Sequence, residues 1–199
     1  MVFIEMKIIA QIAHHFAVVL VLFSLAGCAS GPPATYEIFT ASHAGSLKLP
    51  STSLVVTEPK ASRALDSERM IVKEADGSIS FVPDAQWSDR VPALVQTSLI
   101  KAIEANGYSV SREGSGALAD HVLASDITAF NLVPGSPDKI ELGLTMHLIN
   151  AREGKLMASR SFSAEEAISS TKGADVVVGF NAAIATLMPT IARWCLTQR

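Results

Sequence analysis

Alternation of apolar and polar residues predicts a long β-hairpin in the second half of the chain. Apolar side chains occupy every second position over 140–148, which is the period of a strand with one buried face. The turn-rich run 150–154 leads into a second strand over 155–162. A further strand-like run covers 121–132, and the Pro- and Gly-rich stretch 131–138 predicts a hairpin tip after it.

A second hairpin is predicted earlier in the chain. The dipeptide Asp76-Gly77 is a strong two-residue turn signal, and it lies between the strand-like runs 69–73 and 78–82. The chain also contains two shorter strand-like runs, 53–57 and 108–110.

Apolar residues at three- and four-residue spacing predict an amphipathic helix over 91–103. Ser88 or Asp89 is expected to cap this helix, and Gly107 to end it. Pro92 falls in the first turn, where backbone N–H groups lack intrahelical partners, so it is tolerated there.

A second amphipathic helix is predicted from Ala174 to the C-terminal region. Pro189 lies inside it, and its ring should clash with the preceding turn, so a kink or break is expected over 185–188. Trp194 and Cys195 fall on the apolar face, where both are expected to be core residues. Trp87, just before the first helix, is expected to pack in the core as well.

The order strands, helix, strands, helix predicts an α+β fold. We expect a largely antiparallel sheet with two amphipathic helices packed on one face, in a single domain.

The N-terminal region has the pattern of a lipoprotein signal peptide. Lys7 supplies a positive charge and 16–25 is almost entirely apolar, whether translation starts at Met1 or Met6. An uncleaved anchor helix and an ordinary secretory signal are the alternatives.

Leu25-Ala26-Gly27-Cys28 has the form of a bacterial lipobox. We expect a signal peptidase to recognise Leu25, Ala26 and Gly27 and to leave Cys28 as the lipidated N-terminus. Because one acyl chain anchors a protein only marginally, a diacylglycerol plus a further acyl chain gives stable attachment. The residue after the cysteine is Ala29, whereas an Asp at this position would favour retention at the inner membrane. We therefore expect the lipoprotein to be located on the periplasmic face of the outer membrane.

These patterns divide the chain into three parts. A signal peptide covers 1–27, a lipidated tether 28–50, and the folded domain 51–199. The chain has a formal net charge of −3 and lacks a block of basic residues, so its charge pattern does not predict nucleic-acid binding.

No pattern for catalysis or for a bound cofactor is found in the sequence. It lacks G-x-S-x-G, P-loop and G-x-G-x-x-G motifs, so neither a common serine esterase nor a nucleotide-binding subunit is expected. Ser125 and Asp126 lie near His121, but successive strand residues point to opposite faces, which argues against a triad. His43, His121 and His147 are too dispersed to predict a metal site.

Several features together resemble the ABC-type transport auxiliary lipoprotein family, which includes lipoproteins of the paraquat-inducible protein C type. They are the lipobox, a Pro-rich stretch leading to Tyr36, the run 62–70 (Ser-Arg-Ala-Leu-Asp-Ser-Glu-Arg-Met), and Trp87-Ser88-Asp89 opening a helix. The resemblance implies a non-enzymatic lipoprotein whose partners are a periplasmic mammalian-cell-entry (MCE) protein and, indirectly, an ABC permease and its ATPase. Such a protein would assist lipid movement across the periplasm.

The sequence is compatible with two classes of function. The first is docking of a periplasmic lipid conduit at the membrane. The second is an envelope lipoprotein that binds an apolar ligand itself or pilots another protein. A continuous apolar cavity would favour ligand binding, whereas a solid core with an exposed apolar or edge-strand patch would favour docking. The sequence also leaves homo-oligomerisation open.

Overall fold

The computed structural model describes residues 31–38 and 53–198. The predicted signal peptide and lipobox, including Leu25, Ala26, Gly27 and Cys28, lie outside the described residues. The described part contains the strands β1 (Ala34–Tyr36), β2 (Ser53–Val56), β3 (Arg69–Lys73), β4 (Ile79–Trp87), β5 (Ser109–Arg112), β6 (His121–Val133), β7 (Asp138–Asn150) and β8 (Lys155–Ile168), and the helices α1 (Val91–Glu104) and α2 (Gly173–Thr197).

All eight described strands belong to one sheet, and β6 is its central strand. On one side β6 pairs with β7 over its whole length, and β8 follows beyond β7. On the other side the start of β6 pairs with β2 and its end pairs with β3. The sheet therefore branches: β5 continues it beyond β2, while β4 and β1 continue it beyond β3.

The prediction of a largely antiparallel sheet is wrong. The sheet is mixed, because β1–β4, β2–β5, β2–β6 and β3–β6 are parallel pairs, while β3–β4, β6–β7 and β7–β8 are antiparallel. Alternation along a strand reveals its buried face but not its neighbours. The predicted hairpins are present, and the parallel pairs join segments that are distant in sequence. The α+β class itself agrees with the structure.

The hydrophobic core lies between the sheet and the two helices. Trp87, Phe130 and Phe180 form its centre, with ring centroids 4.7–5.8 Å apart. Each of these aromatic side chains is at most 3% exposed. They come from β4, β6 and α2, so one aromatic cluster joins distant parts of the sheet to the helix layer.

Of the kink or break predicted over 185–188, the break is not found, since α2 runs continuously from Gly173 to Thr197 with Pro189 inside it. Pro189 and Ala185 are both on the exposed side of the helix, where water can reach a carbonyl that loses its intrahelical partner. The turns on either side of the proline are held by buried apolar residues, namely Ile184, Leu187, Met188, Ile191 and Ala192.

The start of α1 differs from the prediction. Arg90 occupies the N-cap position without a side-chain capping bond, so neither Ser88 nor Asp89 caps the helix. Asp89 Oδ1 instead accepts a hydrogen bond of 2.7 Å from the backbone N of Arg90. The predicted end is confirmed, because Gly107 follows the helix with a φ of 86°, a conformation that glycine adopts without strain.

Strand β1 falls inside the range 28–50 that we predicted to be a tether. Ala34 and Tyr36 pair in parallel with Ala85 and Trp87 of β4. Ile38, just after the strand, is a buried core residue. Three residues of the range predicted as a tether thus pair with the sheet, and residues 29–33 separate Cys28 from β1 in the sequence.

Among the described residues, α2 is long and apolar enough to cross a membrane by length and composition. Half of the relevant window is buried inside the domain, however, and the helix packs against β7, β8 and α1. We therefore interpret α2 as a core helix of the folded domain.

Candidate functional site

The face of the sheet opposite the helices carries the candidate site. Along β7 the even-numbered residues from Ile140 to Leu148 are buried, so the odd-numbered side chains face away from the core. A surface cleft of about 330 Å³ lies on this face. Its lining comes from the segment after β2, from β6 and β7, and from the start of β8: Thr57, Glu58, Lys60, Ala124, Ser125, Asp126, His147, Ile149, Gly154 and Leu156.

A chain of hydrogen-bonded side chains crosses three strands at this cleft. His147 Nε2 lies 3.0 Å from Asp126 Oδ2, and His147 Nδ1 lies 3.0 Å from Ser159 Oγ. The strand register explains the contact with Ser159, because His147 and Ser159 are direct partners in the β7–β8 ladder. Asp126 reaches the ring from the neighbouring strand β6.

Serine, histidine and aspartate in contact raise the question of nucleophilic catalysis. The side chains of His147 and Asp126 are 30% and 48% exposed, so the arrangement lies on an open surface. Electrostatic catalysis of acyl transfer needs preorganised donors in a water-excluded site. We therefore interpret the chain as a polar ladder that ties β6, β7 and β8 together.

The same polar face continues toward the other end of these strands. Thr145 Oγ1 lies 2.9 Å from Ser161 Oγ. Further along, Lys139 Nζ lies 3.0 Å from Glu141 Oε1 and 3.1 Å from Glu165 Oε2. Hydrogen bonding to these two carboxylates raises the pKa of Lys139. Cross-strand polar pairs thus occupy the face of the sheet that points away from the helices, whereas the face toward the helices carries apolar residues.

The family-like run 62–70 takes part in an ion-paired cluster at the start of α1. Arg90 lies 2.7 Å from Glu58 and 2.5 Å from Asp66, and hydrogen bonds to these carboxylates raise the pKa of the guanidinium. Nearby, the backbone N of Trp87 donates a hydrogen bond of 2.7 Å to the carbonyl oxygen of Glu68. These contacts fix the segment before α1.

The predicted core residues are confirmed. Trp87 is 1% exposed and Trp194 is 7% exposed, and the Trp194 ring packs edge-on against Phe162. Cys195 is 6% exposed, and burial raises the pKa of its thiol to about 12. A thiol with so high a pKa is neutral at physiological pH and is a poor nucleophile.

Of the three residues considered for a triad, the structure places only Asp126 in the polar ladder. Ser125 lies beside it in β6 but is 3% exposed and points to the core side, as strand alternation requires. His121 begins β6 and pairs with Asn150, away from the ladder. His43 lies outside the described residues. No group of three or more potential metal ligands is found in the described ranges.

Sequence reasoning missed His147 and Ser159 as a pair. The sequence did contain a signal for this pair, because the hairpin predicted around the turn over 150–154 places the two residues near each other on adjacent strands. An irregularity in the ladder between Leu148 and Ile149 shifts the pairing there, which the sequence pattern does not reveal.

The fold is that of an α+β domain with a branched mixed sheet, and similar folds occur in solved structures. Protein XCC0632 from Xanthomonas campestris has a TM-score of 0.73 at 24% identity, covering 83% of this chain and 96% of that one. The hypothetical protein CT253 from Chlamydia trachomatis has a TM-score of 0.53 at 9% identity, covering 74% and 98% of the respective chains.

The model of the ABC-type transport auxiliary lipoprotein component family matches residues 37–192. The chain belongs to this family, and the resemblance stated from the sequence is confirmed. The uncharacterized protein bll6063 of Bradyrhizobium diazoefficiens is 30% identical over 172 residues. That match includes 82% of this chain but only 46% of the relative's length.

Proposed function

We propose that this protein is a non-enzymatic lipoprotein of the outer membrane that docks the periplasmic conduit of an ABC/MCE-type lipid transport system. The observation that carries the proposal is the family match over residues 37–192, which includes nearly all of the folded domain. In this proposal the domain binds a periplasmic MCE protein, and the permease and ATPase are reached only through that partner.

The proposed anchor is Cys28, with Leu25, Ala26 and Gly27 as the recognition sequence before it. Only residues 29–33 lie between this cysteine and β1. An extended chain advances about 3.3 Å per residue, so β1 would start at most about 20 Å from the lipidated residue. The domain would therefore work close to the membrane surface.

The close packing of the domain favours docking over storage of an apolar ligand. A Cβ atom added to Gly179 would lie 2.8 Å from Cγ1 of Ile140 and closer still to Cγ2 of Ile168. The space between α2 and the sheet is thus too tight at this point even for a methyl group. A ligand site between the helix and the sheet would need room that this contact does not leave.

The anchor is tested by replacing Cys28 with Ser in the full-length chain. The proposal predicts loss of the acyl groups and release of the domain from the membrane fraction, measured by mass spectrometry and fractionation. Cys195→Ser is the matched control, and it should remain lipidated and membrane-bound. A Cys28→Ser protein that is cleaved and still fully membrane-bound would contradict the anchor.

Docking is tested by affinity capture from cells that express the tagged full-length protein and an MCE protein encoded beside it. We expect co-purification of that protein, and cells without the lipoprotein should show altered outer-membrane permeability and lipid composition. If the MCE protein never co-purifies and deletion leaves both properties unchanged, the transport proposal is wrong. Co-purification of a bound lipid instead would support the ligand-binding alternative.

A further inference from the structure

Strand β8 forms one long edge of the sheet in the part of the chain that the structure describes. It spans Lys155–Ile168 and pairs with β7 on one side, and no described strand lies on its other side. An unpaired strand edge of this length presents a row of backbone donors and acceptors, which is a template for pairing with another strand.

The part of β8 available for regular pairing is symmetric about Ser163. Its register with β7 is uninterrupted from Ala158 to Ile168, and an irregularity lies before this segment. The midpoint of the segment is Ser163. A second copy that covers the whole segment in antiparallel orientation therefore places its own Ser163 opposite this residue, and each side chain keeps its face of the sheet.

Charges along β8 are complementary in this register. Arg160 would face Glu166 of the second copy, and Glu166 would face that copy's Arg160. Neither side chain forms an ion pair with another described residue of its own chain; the Arg160 guanidinium lies 5.0 Å from the ring of Phe162. The neighbouring positions are apolar, because Phe162 would face Ala164.

Alternative registers lack this complementarity. Centring the pair on Phe162 would leave Arg160 opposite Ala164. Centring it on Arg160 would place two like charges directly opposite each other, which is destabilising. Charge and strand length therefore favour the same register.

Helix α2 packs on β7 and β8, so two copies joined through β8 in this register would carry their α2 helices on the same face of the joined sheet.

We propose that the open edge of β8 docks a second copy of this chain. The product is a dimer with twofold symmetry, in which Ser163 lies on the axis and Arg160 and Glu166 form two reciprocal ion pairs. The interface is isologous, since both copies use the same surface.

Disulfide trapping in the cell envelope tests the register on the full-length chain. Directly opposed residues of antiparallel strands have Cβ atoms about 4.5–5.5 Å apart, close to the spacing in a disulfide. Ser163→Cys should therefore give a disulfide-linked dimer on a non-reducing gel after mild oxidation. Ser161→Cys is the matched control on the same face, because its two copies would be about 13 Å apart along the strand, and it should stay monomeric.

Charge reversal provides an independent measurement in the Ser163→Cys background. Arg160→Glu and Glu166→Arg should each lower the dimer yield at least several-fold, whereas the double variant should restore it. The proposal is overturned by equal crosslinking of the two cysteine variants, by no crosslinking of a folded Ser163→Cys protein, or by a double variant that does not recover. Thermal unfolding of each variant verifies that it is folded.

Discussion

The two faces of the β6–β7–β8 region show how one set of strands serves two purposes. Leu144 of β7 is 2% exposed and faces the helix layer, where Phe162 of β8 is its cross-strand partner. The next residue, Thr145, faces the other way and contacts Ser161 at 2.9 Å. The covered face is apolar and closely packed. The open face carries mainly polar side chains, several of which hydrogen-bond to one another, together with the apolar pair Ile149 and Leu156 at the cleft.

This difference indicates where stability and interaction lie. Burial of apolar surface on the helix side provides most of the folding free energy, and contacts there tolerate little change in volume. Hydrogen bonds between exposed side chains contribute far less. The open face and the β8 edge can therefore vary at small cost in stability, which suits surfaces used for binding.

The largest expected effect is from Phe180→Ala. Phe180 is fully buried at the centre of the aromatic cluster, so its removal should lower the free energy of unfolding by about 3–5 kcal/mol, as measured by denaturant titration. Thr145→Ala on the open face is the control and should cost less than about 1 kcal/mol. Similar losses for both variants would refute the contrast between the two faces.

A smaller loss is expected from Gly179→Ala. The new Cβ would overlap Ile140 and Ile168, and overpacking of this kind costs about 1–3 kcal/mol of unfolding free energy. Gly31→Ala is a control, because its Cβ would meet no atom within 4 Å. An unchanged or raised stability of Gly179→Ala would mean that the helix–sheet contact is looser than described.

On the open face, His147→Ala should reduce the unfolding free energy by only about 0.5–1 kcal/mol. It removes two hydrogen bonds from side chains that remain in contact with water. Ser159→Ala removes one of the two and should have a still smaller effect. A loss above about 3 kcal/mol in His147→Ala, determined by the same titration, would show that the ladder is a main support of the fold.

The smallest effect is expected at Asp120 and depends on pH. Hydrogen bonds from the backbone N and Oγ of Ser53 lower the pKa of Asp120, so the folded state favours the carboxylate. The free energy by which ionised Asp120 stabilises the folded state is present above the pKa of this group in the unfolded chain, about 3.9. It is lost as the pH falls through the lower pKa of the group in the folded state. The Tm difference between the wild type and Asp120→Asn should thus be constant from about pH 5 to 7 and shrink below about pH 4. A difference that grows on acidification would contradict this.

The individual elements could be predicted well from the sequence, because their signals are local. Alternation over 140–148 identified β7, and Asp76-Gly77 placed a turn where Gly77 has a φ of 86°. The arrangement of the strands depended on distant partners. Val56 of β2 pairs with both Arg112 and Leu123, and nothing in its own neighbourhood indicates parallel pairing with either residue.

The candidate surfaces were less predictable than the core. Asp126 and His147 meet only because the β6–β7 register brings their strand positions together, and that register includes an irregularity near Ala129. Pro189 shows the opposite error. A local rule predicted a kink or a break, but tertiary packing of the buried residues around Pro189 keeps the helix continuous. Long-range packing decides both cases.

Strand β1 also determines how a mechanical load would enter the molecule. With the proposed anchor, any pull between the membrane and a bound partner passes through residues 29–33 into Ala34. Because β1 lies parallel to β4, a force along the strand loads its three registered pairs together instead of opening them one after another. Beyond β1, the next part of the chain that would resist the force is Ile38, whose side chain is buried in the core. A strand of only three residues would thus act as a clamp, because its pairs with β4 would have to break together before tension on the anchor reached Ile38.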